Sequence, residues 1–389
     1  MRNVTALGLV SFFTDFSTEM VLGVLPFFIV GTLGASRAVL GAIEGSAELS
    51  SYAFRMISGS LSDRSGRRKI FVIAGYVTST ASKPFFAAAS GWLDAFLVRT
   101  SDRTGKGIRT APRDALIADS VAESRVGRAF GLHRSIDQLG AIAGPVAAFL
   151  LLQVVDIRGI FLASLLPAAV ALVILIWFVK EVAVKRTKGA RPSAFQNIGN
   201  LVRTNKPLVM LVAVAGVFGV GAFNFSFVLI RASDLGLQES FVPLVYAFIN
   251  VSHAAIGMPS GILADRFGKE KMLVVGYSVF LGSTVLMLAF SGNALYAYVL
   301  AAVFGLYTGI SETVQRAVIP RYVESELRGT AFGLYYLVTG LCLFTGNVLF
   351  GFLWDAYGLA AAVSYSAAFA VAAICGMAIF IKKYSRVKS

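Results

Sequence analysis

The sequence predicts an all-α integral membrane protein: twelve transmembrane helices in two pseudo-symmetric six-helix halves. Three observations carry that expectation. Hydrophobic residues make up 57% of the 389-residue chain and charged residues only 14%, with a mean hydropathy of +0.74. No soluble core needs so much apolar sequence, whereas a chain that crosses a bilayer repeatedly does. Twelve apolar stretches, each of about 20 residues or more, can be marked off between short polar gaps, long enough to cross roughly 30 Å of hydrocarbon. The first six stretches and the last six also share one sequence register at an offset of 202 residues.

Span one covers 4–31, with Asp15 and Glu19 one turn apart near its middle. These acids interrupt the apolar run and no A-x-A-like site follows, so a retained span is expected rather than a cleaved signal. Span two, 38–61, repeats the spacing with Glu44 and Glu48 and adds Arg55. Span three, 70–90, carries Lys83 just before Pro84, placed to pair within its own half. Span four, 93–118, is the most unusual. Arg99, Arg103, Lys106, Arg109 and Arg113 follow steps of four, three, three and four, which puts all five on one helical stripe. Charge inside a bilayer is costly and by default lines a polar pathway or a gate. Span five, 128–152, holds His133, Arg134 and Asp137, then Gly140, Gly144 and Pro145; span six covers 158–180. Arg55 and the Arg134–Asp137 pair read as structural, and His133 as an interfacial residue at the cytoplasmic end.

Glu181 to Lys206 is the longest polar gap; it is basic and contains Pro192 and Ser193. It divides the chain into a bundle over 1–180, a linker over 181–206 and a bundle over 207–389. A solvated linker beside anionic headgroups is expected there. The remaining spans are 207–232, 240–263, 272–291, 294–318, 328–353 and 358–381. They present Asn224, Asn250, His253, Glu312, Gln315 and Arg316 among many aromatic residues. Cys342 and Cys375 fall in late spans as packing thiols without metal-binding spacing, so neither a metal nor a cofactor is expected.

Basic residues orient the spans, because cytoplasmic gaps accumulate Lys and Arg. One side receives Arg64, Arg67, Arg68 and Lys69, then Arg125 and Arg128, then Lys180, Lys185, Arg186, Lys188, Arg191, Arg203 and Lys206. The same side receives Arg266, Lys269 and Lys271, Arg321 and Arg328, and finally Lys382, Lys383, Arg386 and Lys388. The opposite gaps hold little beyond Arg37, Arg158 and Arg231. Both termini are therefore expected in the cytoplasm, in a multi-pass protein of the plasma (inner) membrane. The net charge of +14 is thus topological and not the footprint of a nucleic-acid partner.

The repeat is sharpest where Gly59-Ser-Leu-Ser-Asp-Arg-Ser-Gly-Arg-Arg-Lys69 aligns with Gly261-Ile-Leu-Ala-Asp-Arg-Phe-Gly-Lys-Glu-Lys271, identical at six of eleven positions. At the same offset Ala129-Phe-Gly-Leu132 meets Ala331-Phe-Gly-Leu334, and Gly107 and Gly144 meet Gly309 and Gly346. Charge does not follow the repeat. Asp15 and Glu19 face Val217 and Gly221, Glu44 and Glu48 face Tyr246 and Asn250, and Arg99 and Arg103 face Ala301 and Gly305. Ionisable chemistry is concentrated in the first half.

The Gly59–Arg68 loop, G-x-L-x-D-R-x-G-R-R, resembles the loop between helices two and three of the major facilitator superfamily of secondary transporters, and the resemblance covers the whole chain. It implies two parallel six-helix halves and alternating access. It also implies a cytoplasmic gate at Gly59, Asp63, Arg64 and Arg68, with a weaker copy at Asp265 and Arg266. Arg113 and Asp114 are expected at that gate beside Asp63. Gly140-Ala-Ile-Ala-Gly144-Pro145 resembles the G-x-x-x-G-P element of the family's antiporters, which favours export. Arg103-Thr-Gly105-Lys-Gly107 resembles the helix-four motif with altered spacing.

Burial and neighbouring cations act on a carboxyl in opposite directions, so a carboxyl moved between those settings takes up and releases a proton. Asp15 and Glu19, with Glu44 and Glu48 behind them, are the proton-coupling candidates. Arg99, Arg103 and Lys106, with Asn224, Asn250, His253 and Glu312, are the candidate cavity residues for a small-molecule substrate; the cations serve equally to neutralise the four carboxylates. No G-x-x-x-x-G-K-[ST] occurs, which disfavours an ATP-driven pump, and no enzymatic centre is expected. The expectation is a monomeric, proton-coupled exporter of a small organic solute. Protons or another coupling ion, a small-molecule substrate and the lipid bilayer are the expected partners; the alternatives are an uptake symporter or uniporter for an organic anion, and a non-transporting membrane sensor.

Overall fold

The structure, a computed structural model, describes residues 2–122, 125–182, 194–289, 293–324 and 327–384. Lys185, Arg186, Lys188, Arg191, Pro192 and Ser193 of the linker, Arg386 and Lys388 of the tail, and the Arg316 side chain lie outside that description. The regular elements among the described residues are all helical.

Helix α1 (Arg2–Leu22) gives way to a short α2 (Leu25–Phe27) and a π turn at Phe28–Thr32; α3 (Arg37–Ser65) and α4 (Arg68–Ser82) follow. Beyond them come α5 (Phe85–Ala88), α6 (Trp92–Asp119), α7 (Val126–Leu151), α8 (Ile157–Ala163) and α9 (Leu165–Phe178). The second half comprises α10 (Ala194–Thr204), α11 (Lys206–Gly221), α12 (Phe225–Asp234), α13 (Val242–Phe267), α14 (Lys269–Ala289), α15 (Tyr296–Val318), α16 (Arg328–Tyr357) and α17 (Leu359–Tyr384). Proline removes a backbone donor and crowds the preceding turn, and α4 and α5 separate at Lys83–Pro84.

Among the described residues, eight helical segments are long and apolar enough to cross a membrane: Arg2–Thr32, Ile157–Phe178, Lys206–Asp234, Glu239–Phe267, Lys269–Ala289, Tyr296–Tyr322, Arg328–Tyr357 and Leu359–Tyr384. The four other expected spans correspond to α3, α4 with α5, α6, and α7. These are the segments that carry the first half's internal charge, and charge lowers their apolarity below that of ordinary spans. Length supports α3, α6 and α7, at 29, 28 and 26 residues, while α4 alone has 15.

The chain forms two compact units. The first contains Met1–Ala35, Ser46–Lys188 and Gln238–Ala247; the second contains Ser36–Gly45, Gly189–Leu237 and Phe248–Ser389. Helices α3 and α13 are each divided between the two, so their leading turns pack in a different unit from their remainders.

Small residues set the closest approaches in the first unit. A Cβ on Gly144 of α7 would stand 2.5 Å from the Phe16 carbonyl oxygen of α1, and Gly140 lies against Phe12 in the same way. Gly75 of α4 and Gly105 of α6 touch backbone to backbone, each within 2.6 Å of the other's carbonyl oxygen once a Cβ is added. Val4, Leu7, Val10, Val72, Leu116 and Leu175 belong to one buried apolar cluster. The repeated loop has its own demand: Gly66 and Gly268 take φ values of 67° and 101°, conformations that L side chains rarely adopt.

The second unit is built around aromatic packing. Phe218 stacks on Tyr277 at 4.0 Å between ring centroids, with Phe280 and Tyr307 alongside. Phe223, Phe350, Phe227 and Trp354 continue the cluster.

Candidate functional site

Helical spacing puts Ser11, Asp15 and Glu19 on one stripe of α1, four residues apart. That stripe, with α4, α6 and α7, encloses most of the first unit's buried charge. Glu19, Lys83, Arg99, Asp102, Arg103, Arg109, His133 and Asp137 are all buried. A buried charge needs a partner or a hydrogen bond to persist, and the partners are present.

Lys83, only 1% exposed, donates to Ser17 Oγ at 2.8 Å and Thr18 Oγ1 at 2.9 Å on α1. It thus pairs within its own half, as its sequence position suggested. Asp102 accepts from the Ser79 hydroxyl, faces Arg99 Nη1 at 3.5 Å and lies in the field of Lys83. Arg103 pairs with Glu48 of α3 at 3.4 Å. Arg109 stacks over the Tyr76 ring at 4.6 Å, a favourable cation–π placement away from water. Arg113 pairs with Asp114, so three of the five α6 cations are paired with acids and a fourth rests on a ring.

Asp15 has a different setting. Its carboxyl is hydrogen-bonded to that of Asp137 on α7, with Lys106 and Glu19 as its other ionisable neighbours. Lys106 also faces Glu48, and Asp137 meets Arg134 at 3.3 Å. One turn further on, Glu19 accepts from the Tyr246 hydroxyl of α13.

Two sequence expectations, on His133 and on Arg113 with Asp114, require correction. Glu44 is fully buried, and its segment belongs to the second unit. Its turn of α3 packs on α16, where Gly45 faces Phe344. His133 is not interfacial: it is buried and its Nε2 lies 2.9 Å from Ser11 Oγ. Arg113 and Asp114 pair with each other at 3.0 Å, and Arg113 reaches Ser11 Oγ at 3.1 Å, which ties them to the α1 stripe and not to Asp63. Arg266 lies over the Phe267 ring at 5.5 Å and Asp265 pairs with Lys269 at 3.7 Å.

At the first loop, Arg68 joins Asp63 at 3.7 Å to Asp119 at the end of α6. Glu181 accepts the backbone N–H groups of Arg68 and Lys69, Arg64 is exposed, and Gly59 sits over Ala111. The second unit answers with Arg321 on Glu270 at 3.0 Å and Tyr322 donating to Glu270 at 2.6 Å. Arg68 and Asp119 map onto Glu270 and Arg321 at the 202-residue offset. The same ion pair thus recurs with its charges exchanged. Neither Asp119, Glu270 nor Arg321 was singled out as a gate residue from sequence, although the offset held the signal. Asn3 and Asn205 are equivalent in the same sense, bonding to Ser120 and to the Tyr322 carbonyl.

The remaining candidates lie in the second unit. Asn224 caps α12 through Ser226 N at 2.9 Å and bonds Asn347 at 2.8 Å. His253 meets Glu312 at 3.0 Å, and Asn250 is buried. A separate cavity of about 400 Å³ in the first unit, lined by Val24, Phe28, Leu152, Arg158 and Glu239 among others, contains none of the buried acids above.

Comparison with known proteins agrees with this architecture. The profile of the Major Facilitator Superfamily matches residues 7–253 and 209–388. An uncharacterised MFS-type transporter of Methanocaldococcus jannaschii is 32% identical over 91% of this chain and 88% of its own. A multi-drug resistance efflux pump PmrA homolog of Lactococcus lactis is 24% identical over 100% of this chain and 97% of its own. Among solved structures, nucleoside transporter NupG superposes with a TM-score of 0.78 at 14% identity, over 99% of this chain and 100% of that one. A POT family transporter in complex with 5-aminolevulinic acid gives 0.83 at 12%, over 100% and 97%. Those two likenesses concern fold alone. With apolar helices, a repeated loop and matches along its length, this multi-pass membrane protein belongs to the Major Facilitator Superfamily of transporters.

Proposed function

We propose that this transporter exports a small organic solute in exchange for protons, with Asp15 and Glu19 as the proton-carrying groups. The observation that carries the proposal is the Asp15–Asp137 carboxyl pair, with Lys106 beside it and Glu19 one turn away. It offers a buried proton-holding site within reach of a competing cation. The G-x-x-x-G-P element supports exchange, since Gly140 and Gly144 press α7 onto the α1 stripe bearing both acids. The likeness to the efflux pump homolog adds support for export.

In this reading twelve spans form halves over 1–180 and 207–389, joined by the 181–206 linker and working by alternating access. Both termini face the cytoplasm at the plasma membrane, and the protein works as a monomer. Asp63, Arg64, Arg68 and Gly59, with Asp119, latch the cytoplasmic side, and Asp265 and Arg266 mark the second loop. Arg99 and Arg103 already pair with Asp102 and Glu48, which favours organic-solute export over uptake of an organic anion by those cations. Lys106, Asn224, Asn250, His253 and Glu312 remain the substrate-facing candidates.

The test begins with thermal stabilisation of purified protein by a panel of organic cations, anions and zwitterions, because a specific ligand raises stability by mass action. The strongest stabiliser is then loaded into proteoliposomes under an imposed pH gradient. Solute and proton should move in opposite directions, and Asp15→Asn or Glu19→Gln should abolish the exchange. Retention of pH-driven flux in both variants overturns the carrier assignment.

A further inference from the structure

We propose that the cavity of about 400 Å³ in the first unit is a binding site for a small organic cation with an apolar body. The site is separate from the buried ion pairs and does not depend on proton carriage by Asp15 or Glu19. Small-molecule pockets span roughly 300 to 1,000 Å³ and combine apolar walls with a few placed polar groups. The lining here follows that pattern. Val24, Phe27 and Phe28 are buried side chains of the bend that closes the first span. Leu152 and Val155, just beyond α7, continue the apolar wall.

The charged lining decides the occupant. Asp156, Arg158 and Glu239 border the cavity, two acids against one base. The Arg158 guanidinium is already engaged. Its Nη1 donates to the Ala87 carbonyl, its Nη2 donates to that of Ala89 at 3.0 Å, and its Cζ lies 5.3 Å from the Phe28 ring centroid. Asp156 accepts the Gly159 N–H at 2.8 Å, and neither acid has an ion-pair partner among the described residues. The Gln238–Ala247 segment that carries Glu239 is seated on the first unit by apolar contacts. Phe241 lies 5.3 Å from the Phe149 ring, and Pro243 packs where a Cβ on Gly23 would meet it at 3.3 Å. An anion entering the cavity would meet two carboxylates and an arginine whose Nη donors are taken. A cation meets the same carboxylates as partners, and its apolar part covers the Phe27 and Phe28 floor. Asp156 and Glu239 are exposed, so the ligand reaches them from water. In the twelve-span reading both stand in connections on the side opposite the Gly59–Arg68 loop.

The experiment uses the full chain in nanodiscs, with Cys342 and Cys375 replaced by alanine and Val155→Cys placed in the cavity wall. Val155 is 39% exposed, so the new thiol reacts with N-ethylmaleimide, and mass spectrometry follows the rate. The probe is benzyltrimethylammonium, compared with its uncharged carbon isostere neopentylbenzene and with the anion benzenesulfonate. At about ten times its Kd, the ammonium probe should slow the reaction about tenfold by mass action. Adding Glu239→Gln should raise the half-protecting concentration about fivefold, the scale of an exposed ion pair. Leu295→Cys, at a position 67% exposed in the second unit, should react equally fast with and without probe. Circular dichroism and monodisperse elution matching wild type confirm that each variant is folded.

An unprotected Val155→Cys overturns the site. Equal protection by neopentylbenzene makes the cavity an apolar recess and overturns cation recognition. Protection by benzenesulfonate in place of the ammonium overturns it too, by assigning the charge to Arg158. A Glu239→Gln midpoint unchanged from its parent overturns the role of that carboxylate. Equal protection at Leu295→Cys reduces the effect to partitioning into the bilayer and also overturns the proposal.

Discussion

The two units share a helix pattern and differ in what fills it. In the first, Gly75 and Gly105 let α4 and α6 touch through their backbones, and the space beside them holds Lys83, Asp102, Arg99 and Arg103. In the second, the positions at the 202-residue offset are Tyr277 and Tyr307, and their rings surround Phe218. One frame therefore supports a polar, ion-bearing interior and an aromatic, apolar one. The difference concentrates buried cations and their acids in the first unit and stacked aromatic rings in the second.

Substitutions at matched positions should break or sharpen that contrast. The largest effect is expected at Lys83, because removing one partner from a buried charged network leaves an uncompensated charge. Lys83→Met should cost about 3 to 5 kcal/mol in unfolding measured in detergent. Its counterpart Val285 is 52% exposed, and Val285→Met should change stability by less than about 0.5 kcal/mol. Tyr277→Ala should cost about 3 to 5 kcal/mol by opening a cavity in the aromatic cluster; equal tolerance at both units would erase the distinction.

The exchanged ion pairs come next. Glu270 is buried, 2% exposed, so Arg321→Gln should destabilise by about 3 kcal/mol, near the lower end for a broken buried pair. Arg68 faces the more open Asp63 and Asp119, so Arg68→Gln should cost below about 1 kcal/mol. The doubly reversed variant Glu270→Arg with Arg321→Glu, which imitates the first unit, should recover part of the Arg321→Gln loss in the same unfolding assay. At Gly75 the added Cβ meets the Gly105 carbonyl oxygen at 2.5 Å, and Gly75→Ala should cost about 1 to 3 kcal/mol through overpacking. The smallest change is expected at the half-exposed His253–Glu312 pair, where His253→Gln should shift stability by under about 1 kcal/mol.

The helical class, the repeat and the charge asymmetry were legible because hydrophobic periodicity and a constant offset survive in one sequence. Partners were harder to read. Helical spacing placed Arg113 on the charged stripe of α6 but could not show that Ser11 of α1, and not Asp63, would receive its guanidinium. His133 looked interfacial from its distance to the helix end, yet Ser11 and Tyr76 enclose it in a hydrogen-bonded group. Glu44 and Glu48 share a helix and a spacing, and the boundary between the two units falls between them. Tyr246 carried no local signal at all. It stands opposite Glu44 in the repeat, and only tertiary packing brings it to Glu19.

The most direct test is a simultaneous record of proton and solute flux in proteoliposomes, using the strongest stabilising compound as probe. Wild type should move protons inward as solute moves outward, while Asp15→Asn and Glu19→Gln should bind the solute yet move no protons. Proton movement at the wild-type ratio in both neutral variants would contradict placing the coupling in the first unit.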